Sequence, residues 1–149
     1  MTQNKNRDQY FMEQAIKASL HSDDPNTKVG AVFVKNNQII SKGWNHFPIN
    51  AKRNSFPKTN QAKDWLKTKY PYIIHAEMHA VSKLKTSLKN AKLYVTLFPC
   101  NECIKNLSES GLKEIIYLAD THAKQPAFIA SKKIIKACQI PIRQLKISK

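Results

Sequence analysis

Lys92-Leu-Tyr-Val-Thr-Leu-Phe98 runs directly into Pro99-Cys100-Asn-Glu-Cys103. The first part, rich in β-branched and aromatic residues, reads as a buried strand. Pro99 ends it, and Cys100 to Ser110 reads as a helix closed by Gly111. Strand and helix alternate on both sides of this junction. Upstream, His75 to Leu88 predicts a helix. Downstream, Glu114-Ile-Ile-Tyr-Leu118 predicts a strand, Pro126 opens a helix running to about Cys138, and Ile140 to Ile147 supplies a last strand. Such alternation belongs to crossover units, whose strands lie parallel.

The N-terminal part differs. Tyr10, Phe11, Ala15, Ala18 and Leu20 are spaced as one face of a helix from about Arg7 to His21, which Asp24-Pro25-Asn26 breaks. Val29-Gly-Ala-Val-Phe-Val34 and the run from Gln38-Ile-Ile40 flank Asn36-Asn37, two residues tolerant of positive φ, and so predict a hairpin. From Asn45 to Ile74 the chain is polar and broken by Pro48, Pro57 and Pro71, with helix-forming composition only at Gln61 to Lys69. A hairpin followed by crossover units predicts a three-layer α/β/α sandwich around a mixed five-stranded sheet.

With 149 residues and no Pro/Gly/Ser-rich divider, we expect one domain over residues 1–149. Hydrophobic residues make up 42% of the chain, enough for a core. No apolar run is long enough to cross a bilayer, so no membrane partner is expected and the cytoplasm follows by default. The net charge of +15 invites a polyanion, but the lysines are scattered and lack the interleaved aromatics of a single-strand platform. A solvated lysine-rich surface is favoured over nucleic-acid binding. Of the three cysteines, Cys138 is expected in the core; the other two stand three apart, which in an intracellular protein favours a metal over a disulfide.

His75-Ala76-Glu77 and Pro99-Cys100-Asn-Glu-Cys103 both fall at predicted helix starts linked by one strand. Zn2+ accepts an imidazole and two thiolates, and three protein ligands leave a fourth tetrahedral position for water, as in catalytic sites. A helix N-terminus favours thiolates, and the i, i+3 spacing sets both sulfurs on one side of the first turn. Glu77 would lie beside the metal without joining its ligands, free to carry protons in hydrolysis. This pair of motifs, with proline before the first Cys, is the general signature of zinc deaminases. The competing reading is a closed structural zinc site with His79 as fourth ligand, four residues after His75 on the same helical face. Glu102 is expected to be a solvated or capping carboxylate.

Beyond the metal motifs, the chain resembles the deoxycytidylate (dCMP) deaminases of the cytidine deaminase superfamily from about Asp24 to Leu118. The likeness rests on Asp24-Pro-Asn-Thr-Lys-Val-Gly-Ala31, Gly43-Trp-Asn45, Lys69-Tyr-Pro-Tyr72 ahead of His75-Ala-Glu77, and Thr96-Leu-Phe-Pro-Cys-Asn-Glu-Cys103. Phe98 carries particular weight, because tRNA adenosine and riboflavin-type deaminases usually place Glu before the Pro-Cys. The resemblance implies a cytidine deaminase-like fold, a homo-oligomer, and hydrolysis of dCMP to dUMP and ammonia. It also implies that Asn45 meets the sugar or phosphate end of a nucleotide and that the Ala76 backbone helps hold the base, with Asn26 and Lys28 toward the phosphate. The sequence departs from the family pattern at His46, where Gly is usual, and at Thr121-His-Ala-Lys-Gln-Pro126, where a Tyr-His-Asp-like segment is usual. These departures bear on dCMP recognition and on regulation by dCTP and dTTP. A nucleic-acid deaminase acting on tRNA adenosine or single-stranded DNA, and a deaminase of another small aminated base or nucleoside, remain alternatives.

Overall fold

The computed structural model describes residues 2–147. Asn36 and Asn37 take positive φ of 53° and 61°, and the turn they form joins β1 (Gly30–Lys35) to β2 (Gln38–Trp44) in antiparallel register. On its other edge β1 pairs antiparallel with β3 (Lys92–Leu97). β3, β4 (Glu114–Ala119) and β5 (Ile142–Gln144) are mutually parallel, giving the order β2-β1-β3-β4-β5. This is the expected mixed five-stranded sheet. The antiparallel half comes from the hairpin. The parallel half comes from α3 (Asn101–Leu107) and α4 (Pro126–Cys138), which each carry the chain back to the start of the next strand.

Side chains alternate along the strands and divide the core into two layers. Ala31, Phe33, Leu93, Val95 and Ile115 pack with residues of α3, α4 and α2 (Ala76–Ser82) on one face. Val32, Val34, Tyr94 and Ile116 pack against Phe11, Met12 and Ala15 of α1 (Thr2–Ser19) on the other. Helices therefore cover both faces, as expected for the sandwich. The Tyr94 hydroxyl donates to Asp8 Oδ1 at 2.6 Å, and Asp8 in turn pairs with Arg143, tying α1 through the sheet edge to β5.

Several boundaries differ from expectation. α1 begins earlier and ends at Ser19, and its buried stripe is Phe11, Met12, Ala15 and Ala18; Leu20 lies beyond the helix and is exposed. α2 stops at Ser82 rather than Leu88, because Leu88 and Ala91 are drawn into the core and Asn90, at φ 66°, turns the chain into β3. The stretch Gln61 to Lys69 holds only a 3-10 turn at Trp65–Lys67. Cys138 is exposed, not in the core. It is the last residue of α4, just before Gln139 leaves the helix in the left-handed conformation.

The long insertion and α2 are each fixed to the sheet by backbone contacts. The Asn45-to-Ile74 insertion is closed at its base by paired backbone bonds, His46 N–H to the Ile74 carbonyl at 3.0 Å and the reverse at 2.7 Å. α2 lies directly on β2 at Gly43, where a Cβ would stand 2.3 Å from the Ala76 carbonyl oxygen and 2.5 Å from the Ala80 nitrogen. Only glycine admits that approach.

Candidate metal centre and active site

His75 is the N-cap of α2 and Cys100 is the N-cap of α3, both in extended backbone conformation. At this position Ser, Thr, Asp or Asn normally accepts a hydrogen bond from the helix's own N–H groups. Neither His75 nor Cys100 does so. Their side chains turn instead toward one another: His75 Nδ1 lies 3.2 Å from Cys100 Sγ and 3.3 Å from Cys103 Sγ. The three donor atoms all fall within 4.8 Å of one another, and among the described residues no other such group of three occurs. With metal bonds of about 2.0–2.3 Å, adjacent donors of a tetrahedral zinc site stand roughly 3.5 Å apart, so this trio fits zinc.

Mutual proximity sets the protonation of the chain itself. The hydrogen bond with Cys100 raises His75 to about 9 against the opposing effect of burial. Cys100 is lowered to about 4, chiefly by the hydrogen bond from Cys103 and then by His75, whereas Cys103 is pushed up by that same bond and by its own burial. Glu77 is buried on the first turn of α2 and is raised to about 7, chiefly by desolvation.

His75, Glu77 and Cys100 line a cavity of about 420 Å³, with Cys103 buried behind them, and its wall includes Asn45, Ala76, Phe98, Trp65 and His122. The Phe98 ring is buried, meets Tyr117 edge-on at 4.8 Å between centroids, and carries Lys132 Nζ 5.2 Å above its centre. Trp65, 61% exposed, stands at the rim. A larger cavity of about 490 Å³ lies beside Trp44, His46 and Phe56, but none of the three metal-fitting residues nor Glu77 borders it. The chemistry therefore belongs to the smaller one.

Not every residue expected at the site reaches it. Asn26 and Lys28 do not border the cavity; the Asn26 amide donates to the Lys58 carbonyl and the Lys28 ammonium to the Ser22 carbonyl. His79 stands apart from the donor trio, its Nδ1 accepting the Trp44 N–H at 3.2 Å, which removes the closed four-ligand reading. Glu102, expected as a solvated or capping carboxylate, is exposed at the cavity's edge and pairs with Lys105. Conversely, the sequence motifs do not announce a buried ion pair on the cavity wall, Asp24 with Lys69 at 2.5 Å. Asp24 Oδ1 accepts the Asn26 N–H, and its Oδ2 lies 3.5 Å from the Asn45 amide nitrogen. Lys69 comes just before the Tyr-Pro-Tyr stretch leading to His75, the one hint of its place that the sequence holds.

A family profile described as the cytidine and deoxycytidylate deaminase zinc-binding region matches residues 5–119. The chain belongs to that family. The human deoxycytidylate deaminase is 36% identical over 138 residues, covering 91% of this chain and 78% of that protein. A probable deoxycytidylate deaminase of Caenorhabditis elegans is 40% identical over 139 residues, covering 92% of this chain and 68% of the relative. Among solved structures, the dCMP deaminase of cyanophage S-TIM5 in apo form aligns at a TM-score of 0.71 and 25% identity, over 92% of this chain and 95% of that one. The cytidine deaminase-like fold and a zinc-dependent hydrolytic deaminase are thus established. Among its described residues this deaminase has no helix long and apolar enough to cross a membrane.

Proposed function

We propose that this deaminase hydrolyses dCMP to dUMP and ammonia, with zinc held by His75 Nδ1, Cys100 Sγ and Cys103 Sγ and with Glu77 as proton carrier. The observation that carries the reading is a three-donor site at a nucleotide-sized cavity, beside one buried carboxyl that stands outside the donor trio. Relatives named deoxycytidylate deaminase, at 36% to 40% identity over nine-tenths of the chain, supply the substrate.

Bound there, zinc would act as a Lewis acid that lets a water molecule give up a proton near neutral pH. Glu77, raised to about 7 by burial, is poised both to take and to give a proton. It accepts a proton from the attacking water as the oxygen bonds to C4 of the cytosine ring, and delivers it to N3. It then carries the remaining hydroxyl proton to the C4 amino group. The C4–N bond breaks, the C4 carbonyl forms and ammonia leaves. Phe98 gives the ring an apolar wall, the Ala76 backbone holds its polar edge, and Asn45 takes the sugar end. Asn26 and Lys28, which do not border the cavity, tie the 24–29 loop to the Lys58 and Ser22 carbonyls.

The same reading takes residues 1–149 as one catalytic domain, working in the cytoplasm as a homo-oligomer with a small nucleotide as its partner. Zinc-loaded protein incubated separately with dCMP, CMP, dCTP, deoxycytidine, adenosine and guanine, with ammonia measured, tests it. The highest kcat/KM is expected on dCMP. Release from another compound with none from dCMP would overturn the assignment.

A further inference from the structure

The hydrogen-bond inventory around Asn45 limits what that residue can read. Its amide nitrogen has two protons, one directed to the Thr27 carbonyl at 2.7 Å and one toward Asp24 Oδ2 at 3.5 Å. Its Oδ1 accepts the Val29 N–H at 2.8 Å and keeps one lone pair. Asn45 can therefore accept a proton from a ligand but has none to offer. A phosphate dianion, which only accepts, is the wrong partner for it.

Lys69 has the complementary surplus. Its side chain is 7% exposed, and it borders the same cavity. Of its three ammonium protons one goes to Asp24 Oδ2, and among the described residues no second acceptor meets it. Its main chain is pinned, with Lys69 N–H donating to the Thr59 carbonyl at 2.9 Å and the Lys69 carbonyl accepting from Tyr72 and Ile73 at 3.0 Å. Asp24 already balances the ammonium charge, so the pair suits a neutral group better than a further anion such as the phosphate.

We infer that Lys69 is a substrate-contacting specificity residue, which donates to the oxygen of the sugar hydroxyl whose proton Asn45 Oδ1 accepts. In dCMP the only such group is the 3′-hydroxyl, since the 2′ position lacks one and the 5′ oxygen is esterified. The inference rests on the nucleotide reading above and adds a residue to it.

The test compares dCMP with its 2′,3′-dideoxy analogue in the zinc-loaded wild type and in Lys69→Met. The wild type should favour dCMP by roughly 10- to 100-fold in kcat/KM, as for loss of a hydrogen bond to a charged group. In Lys69→Met that preference should collapse toward one, whatever the change in absolute turnover. Because this variant leaves Asp24 as a buried unpaired charge, the Asp24→Asn/Lys69→Met double variant is measured beside it. A merely structural role would slow both substrates in proportion and keep the preference, overturning the inference. So would a wild type indifferent to the 3′-hydroxyl, or a variant that loses its preference for dCMP over deoxycytidine instead. In each of those cases dCMP deamination by the wild type still stands, whereas absence of dCMP turnover overturns both readings.

Discussion

Ser131 Oγ donates to the Pro99 carbonyl at 2.8 Å, both groups being buried. This bond adds a polar tie from α4 to the junction between β3 and α3, beside the packing of Phe128 and Ile135, where the chain leaves the sheet and presents Cys100 and Cys103. Ser131→Ala would leave the Pro99 carbonyl buried without that donor. We expect a loss of about 1–3 kcal/mol in unfolding free energy by urea titration. Zinc affinity measured by chelator competition should fall as well.

At Gly43 an added methyl group would press on main-chain atoms of α2, which cannot swing aside as a side chain can. Gly43→Ala should cost about 1–3 kcal/mol or more. By shifting the first turn of α2 it should also reduce kcat more than a surface mutation of equal destabilisation does. A variant with wild-type turnover would show that the contact is not critical for Glu77.

Glu77→Gln preserves shape and removes the proton carrier. Turnover should drop by ~10²–10⁴-fold or more while metal analysis still finds zinc in wild-type proportion. Loss of zinc together with activity would instead place Glu77 among the structural supports of the metal.

Zinc must displace the protons on His75, raised to about 9, and on Cys103, raised further, while Cys100 at about 4 is already a thiolate. Binding between pH 5 and 8 should therefore release about two protons per ion. Affinity should weaken roughly a hundredfold for each unit of acidification. Calorimetry in buffers of different ionisation enthalpy measures the proton count.

His79 is held neutral, lowered to about 4 chiefly by burial, then by His46 and Lys83. The unfolded chain, with an ordinary value of 6.5, binds this proton where the folded chain does not. Stability should accordingly be full above pH 6.5 and decline as pH falls toward 4. His79→Asn, which keeps an acceptor for the Trp44 N–H, should flatten that part of the urea midpoint against pH. An unchanged slope would assign the decline to other groups.

Local signals were legible wherever backbone chemistry acts alone. Pro126 marked the first residue of α4, and Asn36-Asn37 marked the hairpin, because fixed φ and tolerated positive φ are properties of single residues. The donor trio was legible because two motifs each occupy one helix start. The length of α2 was not, since its end is set by Leu88 and Ala91 packing into the core, and not by its own helical composition. Asp24 and Lys69 were missed as a pair because 45 positions separate them, and no periodicity links residues that only the folded insertion brings together.

His75 and Cys100 each occupy a capping position without capping. His75→Asp or Cys100→Ser would give α2 or α3 the local stabilisation that its sequence now forgoes, about 1 kcal/mol, and in doing so would silence the enzyme. The two seven-residue helices thus start without a side-chain cap, and their cap residues are turned instead to where a metal ion would tether both. If His75 and Cys100 hold the metal, local stability and activity pull in opposite directions at these two positions, and a search for hardier variants would reach inactive ones first.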